Sequence, residues 1–434
     1  MHRICKDINI KDPETVLPWV EDCVKRHWER HDFRGLLIAH GMTRTQYYEL
    51  KDMTQARNLG VPQEYREAFE KRLDEYTGIY RETVRRIAET ACAYIAARDP
   101  QIRPVRIRER LDKTTGKVRL IGCESAMQQV LDYIAVGASM PIFDRRIVPQ
   151  QASSIPGRGQ VYGVRMIRSW IDADNRAARY AKKHGIRYTR KRRYFVKLDI
   201  RKCYNSAKKE VFLDLFRRDC GNPDLIWLWD WILSSHRVEG YEGFMIGALP
   251  SQWGAQYMLS FAYRYAKGLH KERRGKKLQM VSDMILFMDD MALFSGSRKN
   301  LKKAVELLAG FMQETLGFTL KPGWHIQETE KTGVDMMGFI VYHGGKIAIR
   351  GRDFIRARRM AIRRLTGSTF EKSRAERTMS YKGFFKNSDS REAYKKYRLR
   401  SVFEYAARVV SAAARTQNAE KRRQLIHVYE KCAV

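Results

Sequence analysis

Cysteine is scarce in this sequence, and the few cysteines are never grouped. The 434-residue chain has seven scattered Cys residues, with no Cys-x-x-Cys pair and no Cys/His cluster of zinc spacing. This distribution excludes a small secreted scaffold held by disulfides and a zinc-ribbon or zinc-finger site. An odd number of dispersed thiols is typical of reduced cysteines in a cytosol, so we expect a cytoplasmic protein.

Long apolar segments are also missing. No uninterrupted apolar run approaches the ~20 residues that a membrane span needs. The opening residues, Met1-His2-Arg3-Ile4-Cys5, lack the apolar stretch of a signal peptide. We therefore expect a soluble protein with no membrane partner. With 44% hydrophobic residues, the chain still has enough apolar side chains for a large packed core.

Acidic residues are the third shortage. The chain has 49 Asp and Glu against 83 Lys and Arg, which gives a formal net charge of +34. A surplus of this size concerns partners and solubility rather than fold. A solvated basic surface would account for it, but a protein that follows a phosphate backbone is the sharper interpretation.

Changes of pattern along the chain predict four regions. Residues 1–98 form a helical N-terminal extension, because apolar residues recur there at spacings of three and four. Residues 99–193 contain a basic hairpin, a glycine-rich loop and a densely basic run over 176–193, which is either a solvated loop or an RNA-holding surface. Residues 194–345 carry short apolar strands, and residues 346–434 are helical, with 24 Lys and Arg but 8 Asp and Glu.

Three aspartates stand at the ends of predicted strands. Asp199 closes the apolar segment 194–200, and Asp289-Asp290 lies between two short apolar runs, 90 positions after Asp199. Phosphoryl transfer to a hydroxyl uses two divalent cations about 3.5–4 Å apart, and Mg²⁺ prefers carboxylate oxygens. If the strands are neighbours, the three acids converge. An isolated Asp at a strand end would be an ordinary turn residue.

Four segments in the same order resemble the conserved motifs of reverse transcriptases. The segment Phe195 to Ser206 resembles motif A, and Phe287-Met288-Asp289-Asp290 is similar to motif C. Between them, the segment 246–252 looks like motif B, and 337–341 is similar to motif E, the primer grip. The resemblance covers residues ~100–400 and implies an α+β right-hand polymerase fold with fingers (99–193), palm (194–345) and a basic helical thumb (346–434).

The resemblance implies an RNA-directed DNA polymerase that binds two Mg²⁺ ions, with Mn²⁺ as an alternative ion. Asp199 and Asp289 would be the main metal ligands, together with the backbone oxygen of Ile200. Asp290 would be a weaker ligand.

The resemblance also implies a nucleotide site. Tyr204 would be the steric gate that collides with a ribose 2′-hydroxyl, although it could be an ordinary buried Tyr. Gln252 would touch the incoming nucleotide, and Lys117 and Arg119 would clamp its triphosphate. Lys321 falls in the motif D region, where Lys331 is an alternative.

Two further residues are expected at the template and primer. Arg158, within Gly157-Arg158-Gly159, resembles a template-contacting loop of bacterial reverse transcriptases, and a plain turn is the simpler interpretation. Gly338 belongs to the primer-grip motif. Basic helices after residue 346 would follow an RNA–DNA hybrid.

The subtype and partners are narrower expectations. The form of motif B, with Gln252 where other members have Pro, is typical of diversity-generating retroelements. The long N-terminal extension favours an antiphage-defence enzyme, and we expect no ribonuclease H domain after the thumb. The expected partners are deoxynucleoside triphosphates, the cDNA product and a structured non-coding RNA encoded nearby. An accessory protein and a homo-oligomer stay open. The rival interpretations are a non-catalytic RNA-binding protein, a template-independent nucleotidyltransferase and an RNA polymerase.

Overall fold

The structure is a computed structural model that describes residues 3–112, 116–236 and 243–433. The chain divides into two compact units, each built from separated stretches. Unit 1 comprises Met1–Arg146, Tyr204–Met258 and Asn418–Val434, and unit 2 comprises Ile147–Cys203 and Leu259–Gln417. The four regions expected from the sequence stay a prediction.

The N-terminal extension is helical. Its helices are α1 (Pro13–His27), α2 (His31–Ala39), α3 (Arg44–Leu59) and α4 (Arg66–Ala97), with a 3₁₀ turn at Gln63–Tyr65. Local chemistry explains where they begin. Thr43 and Gln46 form a reciprocal capping box at the start of α3, which satisfies amide groups that would otherwise lack partners.

The next segments alternate strands and helices. They are β1 (Arg106–Asp112), β2 (Lys117–Cys123), α5 (Ala126–Arg146), α6 (Gln160–Lys183), β3 (Tyr194–Asp199), α7 (Cys203–Ser206), α8 (Lys209–Asp219), α9 (Pro223–Ser235) and α10 (Leu249–Gly268). The predicted basic hairpin is present, because β1 and β2 pair antiparallel.

The remaining elements form the strands that follow α10 and the C-terminal helices. They are β4 (His270–Arg273), β5 (Lys276–Gln279), β6 (Asp283–Phe287), β7 (Asp290–Ser295), α11 (Arg298–Leu316), β8 (Ile326–Glu328), β9 (Val334–Met336), β10 (Phe339–Val341), β11 (Ile347–Ile349), α12 (Gly351–Leu365), α13 (Lys372–Lys386), α14 (Arg391–Lys396), α15 (Leu399–Gln424) and α16 (Ile426–Ala433). None of the helices in the described ranges combines the length and apolarity that a membrane span requires.

Two antiparallel sheets organise unit 2. One has the strand order β6-β7-β3-β8 and the other β11-β10-β9. A shared core of buried side chains, including Ile167, Phe195, Phe294 and Phe339, joins α6 to both sheets. Burial of these large apolar groups is the main source of stability for the scaffold under the acids. The predicted α+β class is confirmed.

Unit 1 has its own aromatic core. Phe143 of α5, Phe212 of α8, Trp229 of α9 and Tyr257 of α10 pack edge to face or tilted against one another. The Tyr257 hydroxyl donates to Asp219, 2.7 Å away, so its buried oxygen is satisfied.

The basic run over 176–193 is only in part the solvated loop considered above, because residues 184–187 are exposed and irregular but the ends of the run are not. Its first half belongs to helix α6, and Arg192 in its second half is largely buried. The Arg192 guanidinium pairs with Asp174 at 3.1 Å and with Asp283 at 2.6 Å. The burial of Arg192 could not be predicted from the local run of basic residues, because its acidic partners are distant in the sequence.

Candidate active site

Strand pairing brings the three aspartates to one end of a sheet. In the antiparallel register of β3 with β7, Asp199 lies directly opposite Asp290. Phe287 pairs with Asp290 across β6 and β7, so Met288 and Asp289 form a two-residue turn. The amide of Ile200 donates to the carbonyl of Asp289 at 3.2 Å. The ladder therefore aligns Asp199 with Asp290, which is 91 positions away in the sequence.

Asp199 carries a buried oxygen for which the described residues provide no hydrogen-bond partner, its Oδ1. Its Oδ2 accepts a 2.6 Å hydrogen bond from the Lys321 ammonium. An acceptor of this kind is costly unless a cation or donor meets it. Hard carboxylate oxygens at a strand end are the donor set that Mg²⁺ prefers, so these residues fit a magnesium ion.

Lys321 reaches Asp199 because the backbone places it there. Its amide donates to the Asp199 carbonyl at 2.8 Å, next to an isolated bridge between Ile200 and Leu320. The alternative, Lys331, pairs instead with Glu328 at 3.4 Å. Of the two lysines that the sequence offered, Lys321 is the one beside the acids.

The acids repel one another. Burial, followed by the charges of Asp289 and Asp199, raises the pKa of the Asp290 carboxyl above its ordinary value. Burial and the same two charges raise the pKa of the Cys203 thiol to about 12, so this cysteine stays neutral at the site. In the described ranges, no three His, Cys, Asp or Glu side chains are already arranged to hold a metal ion. The aspartates thus share a strand end without forming one coordination sphere.

Arg158 faces the protein backbone. One of its guanidinium nitrogens, Nη1, donates to the carbonyls of Val148, at 2.7 Å, and of Gln151, at 3.3 Å. These residues belong to the loop 147–159, which lies alongside β6. The template contact expected of Arg158 stays a prediction.

The primer-grip motif forms a tight turn. Met337 and Gly338, between β9 and β10, have φ angles of 57° and 83°. Two successive positive φ values match the type I′ turn that joins twisted antiparallel strands. A Cβ on Gly338 would lie 2.8 Å from the Phe384 ring, and the Gly338 carbonyl accepts from Arg350 at 2.9 Å. Glycine is therefore required here for both conformation and space.

The residues expected at the nucleotide belong mostly to unit 1. The carbonyl of Tyr204 accepts from the amide of Phe244 at 2.8 Å, which joins the Tyr204 turn to the loop 243–248. The Ile246 carbonyl of this loop accepts from Gly122 of β2 at 3.2 Å. Gln252 lies in the first turns of α10, directly after the loop, and is partly buried. Unit 1 thus connects the Tyr204 turn, the loop 243–248 and the β1–β2 hairpin.

Lys117 and Arg119 lie on β2. Lys117 is the first residue of this strand, and its side chain lies outside the described part of the structure. Arg119 is exposed and stands directly opposite Arg110 of β1. Two arginines in such a cross-strand pair concentrate positive charge on one face of the hairpin, which suits an anion.

Unit 1 contains a basic groove that the sequence predicted only in part. It has a volume of about 1140 Å³ and runs between the region of α2, the approach to β1 and the start of α5. Arg103, Arg106 and Arg108 line it, and none of the three makes an ion pair or hydrogen bond with a residue in the described ranges. Their alternation predicted a basic strand face, but the part that α2 plays had no sequence signal.

Comparison with known proteins identifies one family. The family described as "Reverse transcriptase (RNA-dependent DNA polymerase)" matches residues 111–341, more than half of the chain. No curated protein matches by sequence. Among solved structures, apo telomerase from Candida tropicalis is similar, with 11% identity, a TM-score of 0.42, and coverage of 97% of this chain and 84% of that chain. The family match confirms the predicted right-hand polymerase fold class.

Proposed function

Because this chain belongs to the reverse transcriptase family and is an RNA-directed DNA polymerase, we propose that Asp199, Asp289 and Asp290 form its polymerase centre. The proposal rests mainly on the register of β3 with β7, which sets Asp199 opposite Asp290 beside the Asp289 turn. The unsatisfied Oδ1 of Asp199 supports a cation at this place.

The residues of the centre divide the work. Asp199, Asp289 and the Ile200 carbonyl would hold the divalent ions, with Asp290 as a weaker ligand. Two bound Mg²⁺ ions would lower the pKa of the attacking 3′-hydroxyl and neutralise charge on the triphosphate. The Lys321 ammonium, which donates to Asp199, would supply a proton to the leaving pyrophosphate.

The nucleotide side of the proposal rests on unit 1. Tyr204 excludes a ribose 2′-hydroxyl through the bulk of its ring, and Gln252 contacts the incoming nucleotide. Arg119 and Lys117 bind the triphosphate, for which the like-charged pair of Arg110 and Arg119 provides support. Gly338 shapes the turn that holds the primer.

We propose that the template is a structured non-coding RNA encoded near the gene. The net charge of +34 supports a phosphate backbone as partner, as do Arg103, Arg106 and Arg108 of the groove, which pair with none of the described residues. The biological role that we favour is antiphage defence, because the N-terminal extension exceeds what a minimal diversity-generating enzyme carries. The alternative is mutagenic retrohoming, which the Gln252 form of motif B favours.

Primer extension tests the polymerase centre. The purified chain is given a primed RNA template with deoxynucleotides, and a parallel reaction omits the template. We expect template-dependent DNA that Asp289→Ala abolishes while RNA binding stays near normal. DNA made without template would indicate a template-independent transferase, and unchanged synthesis by Asp289→Ala would refute the metal assignment.

Sequencing of co-purified nucleic acid tests the partner. RNA and DNA bound to the protein in its native cell should include one abundant RNA and cDNA complementary to it. Phage plaque counts with wild type and Asp289→Ala then test the role. Protection that is lost in the variant supports defence, whereas cDNA copied from a variable repeat would favour diversity generation.

A further inference from the structure

The turn that carries Asp289 has an unusual backbone. Met288, its first residue, has a φ of 56°. Non-glycine residues rarely adopt this left-handed conformation, and they keep it only where their surroundings enforce it. The structure supplies one such constraint: the Met288 amide donates a 2.6 Å hydrogen bond to the hydroxyl oxygen of Ser153. Ser153 is only 3% exposed, so water does not replace this acceptor.

Ser153 is held in place by pairing of its loop with β6. The amide of Ala152 donates to the carbonyl of Leu286, and the amide of Leu286 donates to the carbonyl of Gln150, both at 2.9 Å. The strand β6 is at the edge of its sheet, and the loop occupies its free side. The loop therefore acts as a short extra strand that ends at the Asp289 turn.

Arg158 fastens the same loop from its other end. Its bonds to the carbonyls of Val148 and Gln151 close the loop on itself, and the Gln151 side chain accepts from the Val148 amide at 3.0 Å. A charged donor to backbone carbonyls is stronger than a neutral one. A continuous set of hydrogen bonds thus leads from Arg158 through the loop to Ser153 and Met288.

We propose that Ser153 is a positioning residue for Asp289 and that Arg158 acts through it. Ser153 sets the turn by binding the Met288 amide, and Arg158 keeps the loop in register with β6. This inference rests on the proposed role of Asp289 as a metal ligand. It gives Arg158 a function in metal-ligand geometry that is distinct from contact with a template.

Ser153→Ala is the direct test because it removes the acceptor and little volume. Supporting partners of metal ligands typically change metal affinity or activity by about 10- to 100-fold. We expect Ser153→Ala to weaken Mn²⁺ binding, measured by electron paramagnetic resonance, and to lower kcat to a similar degree without changing the Kd for primed RNA. Ser169→Ala is the matched control, since Ser169 is exposed and, among the described residues, its hydroxyl bonds to the Met166 carbonyl of its own helix alone.

Arg158→Lys separates positioning from template contact. Lysine keeps the positive charge but lacks the planar guanidinium, one nitrogen of which donates to two carbonyls here. Positioning predicts that Arg158→Lys and Arg158→Ala both weaken Mn²⁺ binding, with the template Kd unchanged. A raised template Kd in Arg158→Ala, rescued by Lys, with normal Mn²⁺ binding would overturn the role of Arg158.

Two outcomes distinguish this inference from the proposed function. Normal Mn²⁺ binding and kcat in Ser153→Ala, with Asp289→Ala inactive, would overturn the inference alone. Full activity in Asp289→Ala would overturn the proposed function itself. Circular dichroism and thermal melting establish whether each variant is folded. If Ser153→Ala is not folded, the Arg158 variants test the inference instead.

Discussion

The acids of unit 2 and the residues of unit 1 that we propose to contact the nucleotide are positioned in different ways. Asp199 and Asp290 are held by a ladder of backbone hydrogen bonds over a buried core. Tyr204 and Gln252 flank a glycine-containing loop, and Arg119 lies on a hairpin whose outer residues, Leu111 and Val118, are more than half exposed. A ladder in a core keeps its geometry, whereas an exposed hairpin with few apolar contacts opens locally at low cost.

This contrast has a functional meaning. Metal ligands must hold ions at a fixed spacing, which suits strand register. A nucleotide must enter and leave, which suits elements of lower local stability. Substitutions in unit 2 should therefore lower kcat, and substitutions in unit 1 should change nucleotide affinity and selectivity.

The largest expected effect is at Asp199. Asp199→Ala removes the unsatisfied oxygen and the Lys321 partner together, so we expect kcat to fall by at least about 10³-fold. Asp290→Asn should cost about 10- to 100-fold, as befits a weaker ligand. Single-turnover primer extension measures both. Equal losses would contradict the different roles assigned to the two acids.

Gly243→Ala tests whether the loop of unit 1 needs close packing. A Cβ at this position would overlap the carbonyl oxygens of Tyr204 and Asn205. Because backbone atoms cannot move aside locally, we expect kcat/KM for deoxynucleotides to fall about 10-fold or more. Gly78→Ala is the control, since its Cβ meets nothing within 4 Å. A fully active Gly243→Ala would show that the loop is free to shift.

Tyr204 should determine sugar selectivity. Tyr204→Ala removes the ring, so we expect ribonucleotide incorporation relative to deoxynucleotide to rise by about 10- to 200-fold. Tyr204→Phe keeps the ring and should preserve selectivity. Competition between a ribonucleotide and its deoxy analogue measures the ratio. An unchanged incorporation ratio in Tyr204→Ala would contradict the proposal that Tyr204 is the steric gate.

Arg119 should affect the nucleotide rather than the template. Arg119→Ala is expected to raise the KM for deoxynucleotides several-fold, by about 1 kcal/mol of lost charge-assisted contact, with the RNA Kd unchanged. Arg106→Ala in the groove should show the reverse, together with a shallower salt dependence of RNA binding. The same phenotype in both variants would mean that the hairpin is one undivided basic surface.

The smallest effect concerns the stability of unit 1. Burial and the neighbouring Glu124 carboxylate raise the pKa of Asp132 well above its ordinary value. The unfolded chain loses this proton near pH 4, so the folded state is penalised as pH rises towards the folded pKa. Glu124 also meets the buried ring of His236 at 2.9 Å.

Asp132→Asn should therefore stabilise the protein at pH 8 and confer little at pH 4. Asparagine removes the charge and can donate to Glu124. Urea midpoints for wild type and variant across this pH range measure the difference. A gain that is independent of pH would contradict the assignment of a neutral, buried Asp132.

Much of the local structure was predictable because its signals are local. Alternating apolar and basic residues predicted β1 and β2, short apolar runs predicted β3 and the β6–β7 hairpin, and helical spacing predicted the helices of the N-terminal extension. The segments that resemble motifs A and C include β3 and the β6–β7 turn. An acid at a strand end is recognisable in the sequence because it follows a short run of apolar residues.

Sequence by itself thus determined the elements, the family resemblance and the candidate acids. Only the tertiary structure decided that Asp199 faces Asp290, that Lys321 rather than Lys331 reaches Asp199, and that Arg158 bonds its own loop. It also placed Arg192 among buried acids and Ser153 under the Asp289 turn. Most of these contacts join residues that are distant in the sequence. The local periodicity of apolar residues does not predict which distant residue a side chain will contact.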